Sequence, residues 1–407
     1  MSVYFFNVDY RKIWCFFMSS VVNKGLKVRI FPDESMEQVL NQNMGNARFI
    51  WNNILNRYNE LYQFFKFHGC PLNPNIRNLN AILKMLKQEY SFLREGESTS
   101  QQQVFRDLNK SFTGFFKGTC NYPKFKSKKN PKQSFRIQKN GNNIRITNRR
   151  IRLAKLGYVH YHTSNEYKKL LKKSKINNVT VKKENGKYYA IINITTTVEY
   201  LEKSGEEIGI DLGLKNLATL SNGQEIANLD LTHEDEMIRK YQRKLSRQKY
   251  MSKNYQKTLK KYYKWQNRKN NKIQNAYHQF SKYLVNKYDI IAMETLNIKG
   301  MFQNPKWSPK LQKIGLYKLI QMIKYKAEWY GKKFIQIGPF YPSSQKCSKC
   351  GYQYTDLTLE MRNWTCPKCK TKHHRDINAA KNILNEGKRI IEKNLNINEP
   401  VSQRGIA

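Results

Sequence analysis

Two Cys-x-x-Cys pairs, Cys347/Cys350 and Cys366/Cys369, stand 15 residues apart late in the sequence. Four thiolates at that spacing converge on one tetrahedral Zn2+, each pair forming a knuckle. An all-thiolate set leaves no open position for water or substrate, so the centre is structural and predicts a zinc ribbon over 346–370. Cys15, Cys70 and Cys120 show no pairing pattern. That usage suits a reducing cytoplasm better than a secreted disulfide framework.

At 407 residues the chain is too long for one core, and roughly two to four domains are expected. Its 74 Lys and Arg against 30 Asp and Glu leave a net charge of +44. A lysine-rich, AT-rich genome explains part of that bias, but an excess of this size calls for a polyanion. Nucleic acid is the predicted partner, ahead of a membrane surface. No apolar run is long enough to span a bilayer. The patchily apolar start is broken by Asp9, Arg11 and Lys12 and does not read as a signal peptide. Met18 precedes the first well-patterned strand, which leaves residues 1–17 open as an artefact of start-site choice.

Residues 25–31 alternate apolar and basic, as a strand does, and Pro32 ends them. Ser35 and Gln38 then suggest a capping box, followed by Met36, Leu40, Met44, Ala47, Trp51, Ile54, Tyr58 and Leu61 at helical spacing. Further helices are expected over 75–94 and 99–117. Period-two runs over 119–200, with Asn-Gly at 140–141 and 185–186 read as hairpins, predict a small antiparallel barrel. The early strand belongs to it, with the helices of 35–118 inserted between. A third hairpin turns at Asn222-Gly223, and one long helical stretch follows over 232–287. From Met237 to Tyr288 that stretch holds no acidic residue. A solvated helix normally mixes both signs, so this arm is expected to face nucleic acid through Lys240, Arg243, Lys244 and Arg247. A short strand at 289–294, a helix at 311–330 with Leu311 and Ile314, a strand at 333–339 and a final helix at 377–393 complete the pattern.

In EEIGIDLGL, Ile208, Ile210 and Leu212 take one strand face, while Asp211 takes the other between two glycines. An aspartate inside a buried strand is costly unless a metal or partner compensates. Glu294 ends the strand YDIIAME, and Asp376 opens the final helix. Taken singly, a turn aspartate, a surface glutamate and a helix N-cap account for them. Together, carboxylates on a first strand, a later central strand and a final helix are what an RNase H-like sheet needs to hold two Mg2+ ions for phosphodiester hydrolysis. Arg375 is read either as a contact to the scissile phosphate or as a carboxylate partner. His373 and His374 read as surface or phosphate contacts rather than catalytic bases.

At these residues the chain resembles the TnpB family of RNA-guided nucleases, relatives of compact type V CRISPR effectors. GIDLGLKNLATLSNG, IIAMETLNIKGM and HHRDINAAKNIL match its three RuvC motifs, CSKC…CPKC its ribbon, and ARFIWNN and YPKFKSKK two upstream segments. The resemblance implies a multidomain α+β protein. Its parts are a wedge-like β-barrel (24–34 and 119–203), an inserted helical recognition lobe (35–118) and an RNase H-like RuvC nuclease domain (204–345 and 371–393) carrying the four-cysteine zinc ribbon. An N-terminal extension (1–23) and a tail (394–407) flank them. It further implies a guide RNA, Mg2+-dependent cutting of double-stranded and single-stranded DNA beside a short target-adjacent motif, and a monomer on the RNA. Asp211, Glu294 and Asp376 take the catalytic positions. Arg48 and Asn52, one helical turn apart, are expected to face the duplex, while Trp51 and Tyr58 are read equally as core or as readers.

Three other readings remain. A CRISPR-associated type V effector would have the same chemistry. A guided DNA-binding repressor without cleavage should lack one or more of the three carboxylates, and all are present. A transposase performing strand transfer could use the same metal site, but the resemblance disfavours it.

Overall fold

The computed structural model describes residues 19–69, 75–130, 132–213, 216–296, 303, 315–358 and 360–398, with side chains to 394. Residues 1–18 of the N-terminal extension, with Cys15, as well as Cys70, Leu214–Lys215, the end of the second motif from 297, Leu311, Ile314 and most of the tail, lie outside the described residues, whereas Ser19–Asn23, expected in that extension, belong to the first strand. The chain divides into two compact units, Val21–Thr197 and the part from Val198 onward, to which Ser19 and Ser20 also belong.

The first unit begins with β1 (Ser19–Phe31), where Leu26, Val28 and Ile30 alternate inward as the sequence pattern requires. Its end is capped differently from the expected box. Asp33, not Ser35, is the N-cap of α1 (Glu34–Phe67), its carboxylate accepting from the Met36 amide at 2.8 Å. Ser35 donates to that carboxylate instead, because an ionised acceptor sits two residues upstream and better matches the positive helix end. The helix expected over 75–94 is broken into α2 (Ile76–Glu89) and α3 (Phe92–Glu95). The break brings the rings of both Tyr90 and Phe92 edge-on to Phe49, at 4.9 and 5.3 Å between centroids. Helix α4 (Ser98–Phe116) completes the helical insert.

Then come β2 (Lys132–Gln138), β3 (Ile144–Ile146), β4 (Arg150–Leu153), β5 (Gly157–His162), β6 (Lys175–Glu184) and β7 (Lys187–Glu199). A helix the strand pattern did not announce, α5 (Asn165–Lys173), lies between β5 and β6 with Ser164 as its N-cap. The seven strands run in the order β2-β6-β7-β1-β5-β4-β3. Successive strands β2 and β3 thus occupy opposite edges. The five residues joining them reach at most roughly 20 Å, whereas a flat seven-stranded sheet is roughly 29 Å across. The sheet must curl. The same fact corrects one turn: Asn140-Gly141 reverses the chain but joins no hairpin, since β2 pairs with β6 and β3 with β4. Asn185-Gly186 does join a hairpin, with both residues at positive φ.

The second unit is built on β8 (Glu207–Leu212), β9 (Asn216–Leu220), β10 (Glu225–Ala227), β11 (Ile290–Glu294) and β12 (Lys333–Ile337). Their order is β10-β9-β8-β11-β12; β9 is antiparallel to both neighbours, and β8, β11 and β12 are mutually parallel. The helical stretch expected over 232–287 is two helices, α6 (Thr232–Ser246) and α7 (Lys253–Lys287). Met251 turns the chain at φ 65°, and the Ser252 hydroxyl restarts it by accepting from the Tyr255 amide. Acids at the start of α6 fasten the pair: buried Glu234 meets Arg268 and Lys272, and Asp235 meets Lys269. Helix α8 (Leu316–Trp329) joins α7 over the Ile208/Ile210 face of the sheet. On the other face lies α9 (Arg375–Asn398), reached through the ribbon strands β13 (Asn363–Thr365) and β14 (Lys372–His374).

Candidate active site and metal centre

Strands β8 and β11 run side by side in register, with Met293 opposite Ile210, so the next pair is Glu294 and Asp211. Adjacent parallel strands lie about 4.8 Å apart, which sets the two carboxylates beside each other on one face. Gly209 brings in the third. A Cβ there would lie 2.0 Å from the Ala380 carbonyl oxygen and 2.9 Å from Leu384, so only glycine lets α9 sit this close to β8. Asp211 lies two residues along the strand from Gly209, about 7 Å. Asp376 lies one turn back along the helix from Ala380, about 6 Å. Both steps lead to the same place. Gly387 repeats the contact further along, where a side chain would strike Ala292 and Ile335.

Asp211, Glu294 and Asp376 together line one open cleft of about 860 Å3, with Asn216, Thr219, Phe340, Arg362 and Arg375 on its walls. Burial first, then the charges of Glu294 and Asp376, push Asp211 up to about 7, against the opposing pull of Arg375 and Arg362. Burial also raises Glu294. Three hard oxygen donors, partly stripped of water and pressing on Asp211, are of the type a divalent cation takes, but their oxygens do not close into one cluster within 4.8 Å as the cysteine sulfurs do. Arg362, which carries no motif in the sequence, grips Asp376 at 3.1 and 3.2 Å to its two oxygens. Arg375 instead donates to the Thr358 carbonyl while also lining the cleft. The carboxylate–arginine pair therefore belongs to Arg362.

Cys347, Cys350, Cys366 and Cys369 hold their sulfurs within 4.8 Å of one another, a cluster of the size one tetrahedral metal requires. His373 turns to this centre, its Nε2 3.1 Å from Cys347 Sγ and its ring on Trp364. Buried Asn378 and Asn382, which sequence reasoning missed, tie the centre to the cleft. Asn378 accepts from the Ser348 amide and donates to the Lys346 carbonyl, and Asn382 donates to the carbonyls of Ser343 and Lys346. Their signal was the i, i+4 spacing of two asparagines on one face of α9.

Two other groups of predicted contacts lie elsewhere. Lys240, Arg243, Lys244 and Arg247 line a groove of about 760 Å3 along α6, together with Arg239, Gln248 and Glu236. Trp265 packs against His233, and Tyr262 against Tyr263. In the first unit, Trp51 and Tyr58 are 7% and 2% exposed, and so belong to the core. Arg48 donates to Gln133 at 2.9 Å. Asn52 clasps the Lys126 backbone, donating to its carbonyl and accepting from its amide. Trp51 donates to the Lys124 carbonyl, and the Lys126 ammonium sits 3.6 Å over the indole ring. ARFIWNN and YPKFKSKK thus interlock. Burial pulls Lys126 down to about 8.

Fold and site define a two-unit α+β protein with a four-cysteine centre beside a three-carboxylate cleft. Three family models match it: "Probable transposase" of the OrfB type over residues 179–305, "Cas12f1-like, TNB domain" over 317–383, and an OrfB "Helix-turn-helix domain" over 18–66. The last segment is here a strand and one long helix. A Streptomyces pristinaespiralis protein, provisionally named an RNA-guided DNA endonuclease, is 28% identical over 91% of this chain and 90% of its own. InsQ of Escherichia coli K12, named in the same provisional way, is 26% identical over 90% and 93%. A Cas12f1 chain from a complex with single guide RNA and target DNA superposes with a TM-score of 0.55 at 15% identity, covering 89% of this chain and 98% of that one. The resemblance to the TnpB family is thereby borne out along 91% of the chain. No described helix is long and apolar enough to cross a membrane.

Proposed function

We propose that this protein is an RNA-guided DNA endonuclease of a mobile element, cutting phosphodiester bonds in the cleft of Asp211, Glu294 and Asp376. The observation that carries this is the convergence of three carboxylates, distant in sequence, on one face of a sheet in a chain of net charge +44. The strand order, with one antiparallel strand beside three parallel ones, supports an RNase H-like RuvC domain. The curl of the other sheet supports a wedge-like barrel, and its helical insert a recognition lobe.

The three carboxylates would hold Mg2+, which when bound supplies an activated water and neutralises charge on the leaving 3′ oxygen. Around them the chain's own groups have distinct tasks. Arg362 keeps Asp376 aimed into the cleft, and both arginines bring positive charge to a phosphate there. Cys347, Cys350, Cys366 and Cys369 would hold Zn2+, which would fix the ribbon that Asn378 and Asn382 fasten to α9. The α6 groove, with Lys240, Arg243, Lys244 and Arg247, would bind guide RNA or the guide–target duplex. Arg48 and Asn52 would act on the flanking duplex through the loop they anchor, beside a monomer's single guide RNA. A cytoplasmic protein is implied.

Sequencing the RNA that accompanies the protein purified from its native locus tests this reading. A discrete RNA carrying a guide segment, able to direct cutting of matching DNA, is expected. RNA of random sequence and no guided cutting would remove the proposal.

A further inference from the structure

Phe340 is 95% exposed, the barest of the large apolar side chains in the described residues. It does not sit on an outer surface but on the wall of the carboxylate cleft, with Arg362 and Arg375. Isolated exposed apolar residues are ordinary and usually mean nothing. Three observations set this one apart.

The backbone that carries it is held on both sides. On one side, buried Ile337 ends β12. On the other, Ser343 is buried, and its carbonyl is held by Asn382 of α9. Between them the Tyr341 amide closes a turn on the Gly338 carbonyl, and Pro339 and Pro342 flank the pair of aromatics. The ring is therefore presented at a fixed place rather than carried on a loose loop. The neighbouring Tyr341 differs: it is partly buried against Ile337 and Ile383, with the Lys346 ammonium 5.4 Å from its ring. Packing thus explains Tyr341 and leaves Phe340 without an intramolecular role. Finally, the ring shares the cleft with Asp211, Glu294, Asp376, Arg362 and Arg375, so it faces a space where a phosphodiester would lie.

We propose that Phe340 is a stacking platform for one nucleobase of the strand being cut, beside the scissile phosphate. This rests on the nuclease reading of the cleft. A base has an apolar π-face and needs no hydrogen bond to use it, so an aromatic ring holds any sequence equally. Stacking there would set the strand's register while Arg362 and Arg375 neutralise its phosphates. Loss of one such stack is expected to weaken productive binding by about 5- to 150-fold.

The test uses the complete protein loaded with its RNA. Single-turnover cutting is measured for wild type, Phe340→Ala and Phe340→Trp on DNA with normal bases and with an abasic site at each position within three nucleotides of the cut. Phe340→Ala should raise the half-saturating DNA concentration about tenfold or more with a smaller change in maximal rate, and Phe340→Trp should restore it. One abasic position should impair wild type and leave Phe340→Ala no worse than it already is. That non-additivity is the signature of a direct contact, which a folding defect would not produce. Equal impairment of wild type and Phe340→Ala at every abasic position, or an alanine variant that cuts like wild type, would overturn the proposal. Either result requires that wild type cuts, so failure of the nuclease reading, in which wild type itself is inert, is told apart.

Discussion

Asp211 is held at about 7 by burial and by two neighbouring acids, and the direction of that shift has consequences without metal. A carboxylate raised above its unfolded value prefers its proton in the folded state. Its favourable contribution is complete below about pH 4 and is lost as pH rises through about 7. In chelator, Asp211→Asn should therefore stabilise the protein at pH 8 by on the order of 2 kcal/mol and hardly at all at pH 4.5. Thermal unfolding at the two pH values checks this; equal shifts would show that neither burial nor the neighbouring acids raise Asp211. With Mg2+ present, the cation competes with that proton, so the pH at which cutting rises should lie below about 7 and fall further as Mg2+ is raised. At this scale the sequence was informative where chemistry is rare. An aspartate between glycines in an apolar strand is hard to explain otherwise, and the three acids do meet in one cleft. Arg362 was not legible, because an arginine in a basic chain carries no signal until its neighbour in space is known. Asn52 misled in a different way: its spacing from Arg48 is helical, but its amide is taken up by the Lys126 backbone.

Helix α9 is the element on which the site depends. Gly209→Ala would put a methyl group into the Ala380 carbonyl, a backbone atom that cannot swing aside. The helix must shift, at a cost of about 1–3 kcal/mol or more, and Asp376 moves with it. A lower unfolding temperature and loss of cutting of at least about a hundredfold are expected, since misplacement by an ångström is enough. An alanine variant with wild-type stability would show that α9 does not press on β8 at this point. Asn382→Ala should leave the Ser343 carbonyl without its donor, costing about 1–3 kcal/mol, while the Lys346 carbonyl keeps the Asn378 amide. Cys350→Ser should release zinc and have a similar effect on the cleft, read as metal content alongside cutting. Element type was legible from periodicity nearly everywhere. Breaks within helices were not. The turn at 247–252 follows from Met251 in a left-handed conformation, and the split at Tyr90 from two rings seeking Phe49. Both are tertiary effects that no local pattern carries.

Across the whole molecule, charge is sorted rather than spread. The acids at the start of α6 occupy Arg268, Lys269 and Lys272, which leaves the groove of Lys240, Arg243, Lys244 and Arg247 for an outside anion. Replacing those four by alanine should weaken nucleic-acid binding at every guide sequence and reduce the log–log salt slope by about 0.9 for each duplex phosphate that is no longer neutralised. Parallel lines of equal affinity would mean that the groove is only solvated. The order of strands in the first unit was beyond the sequence, since the Asn140-Gly141 turn looks like any hairpin until β2 and β3 are seen on opposite edges. Whether the three carboxylates carry the chemistry can be decided by one comparison. The RNA-loaded protein and its Asp211→Ala, Glu294→Ala and Asp376→Ala variants are assayed for cutting and binding of matching DNA in Mg2+. Each variant should bind DNA within a few-fold of wild type and cut it at least about a thousandfold more slowly, because each removes a metal ligand and no basic surface. A Glu294→Ala protein that cuts at near the wild-type rate would contradict this assignment.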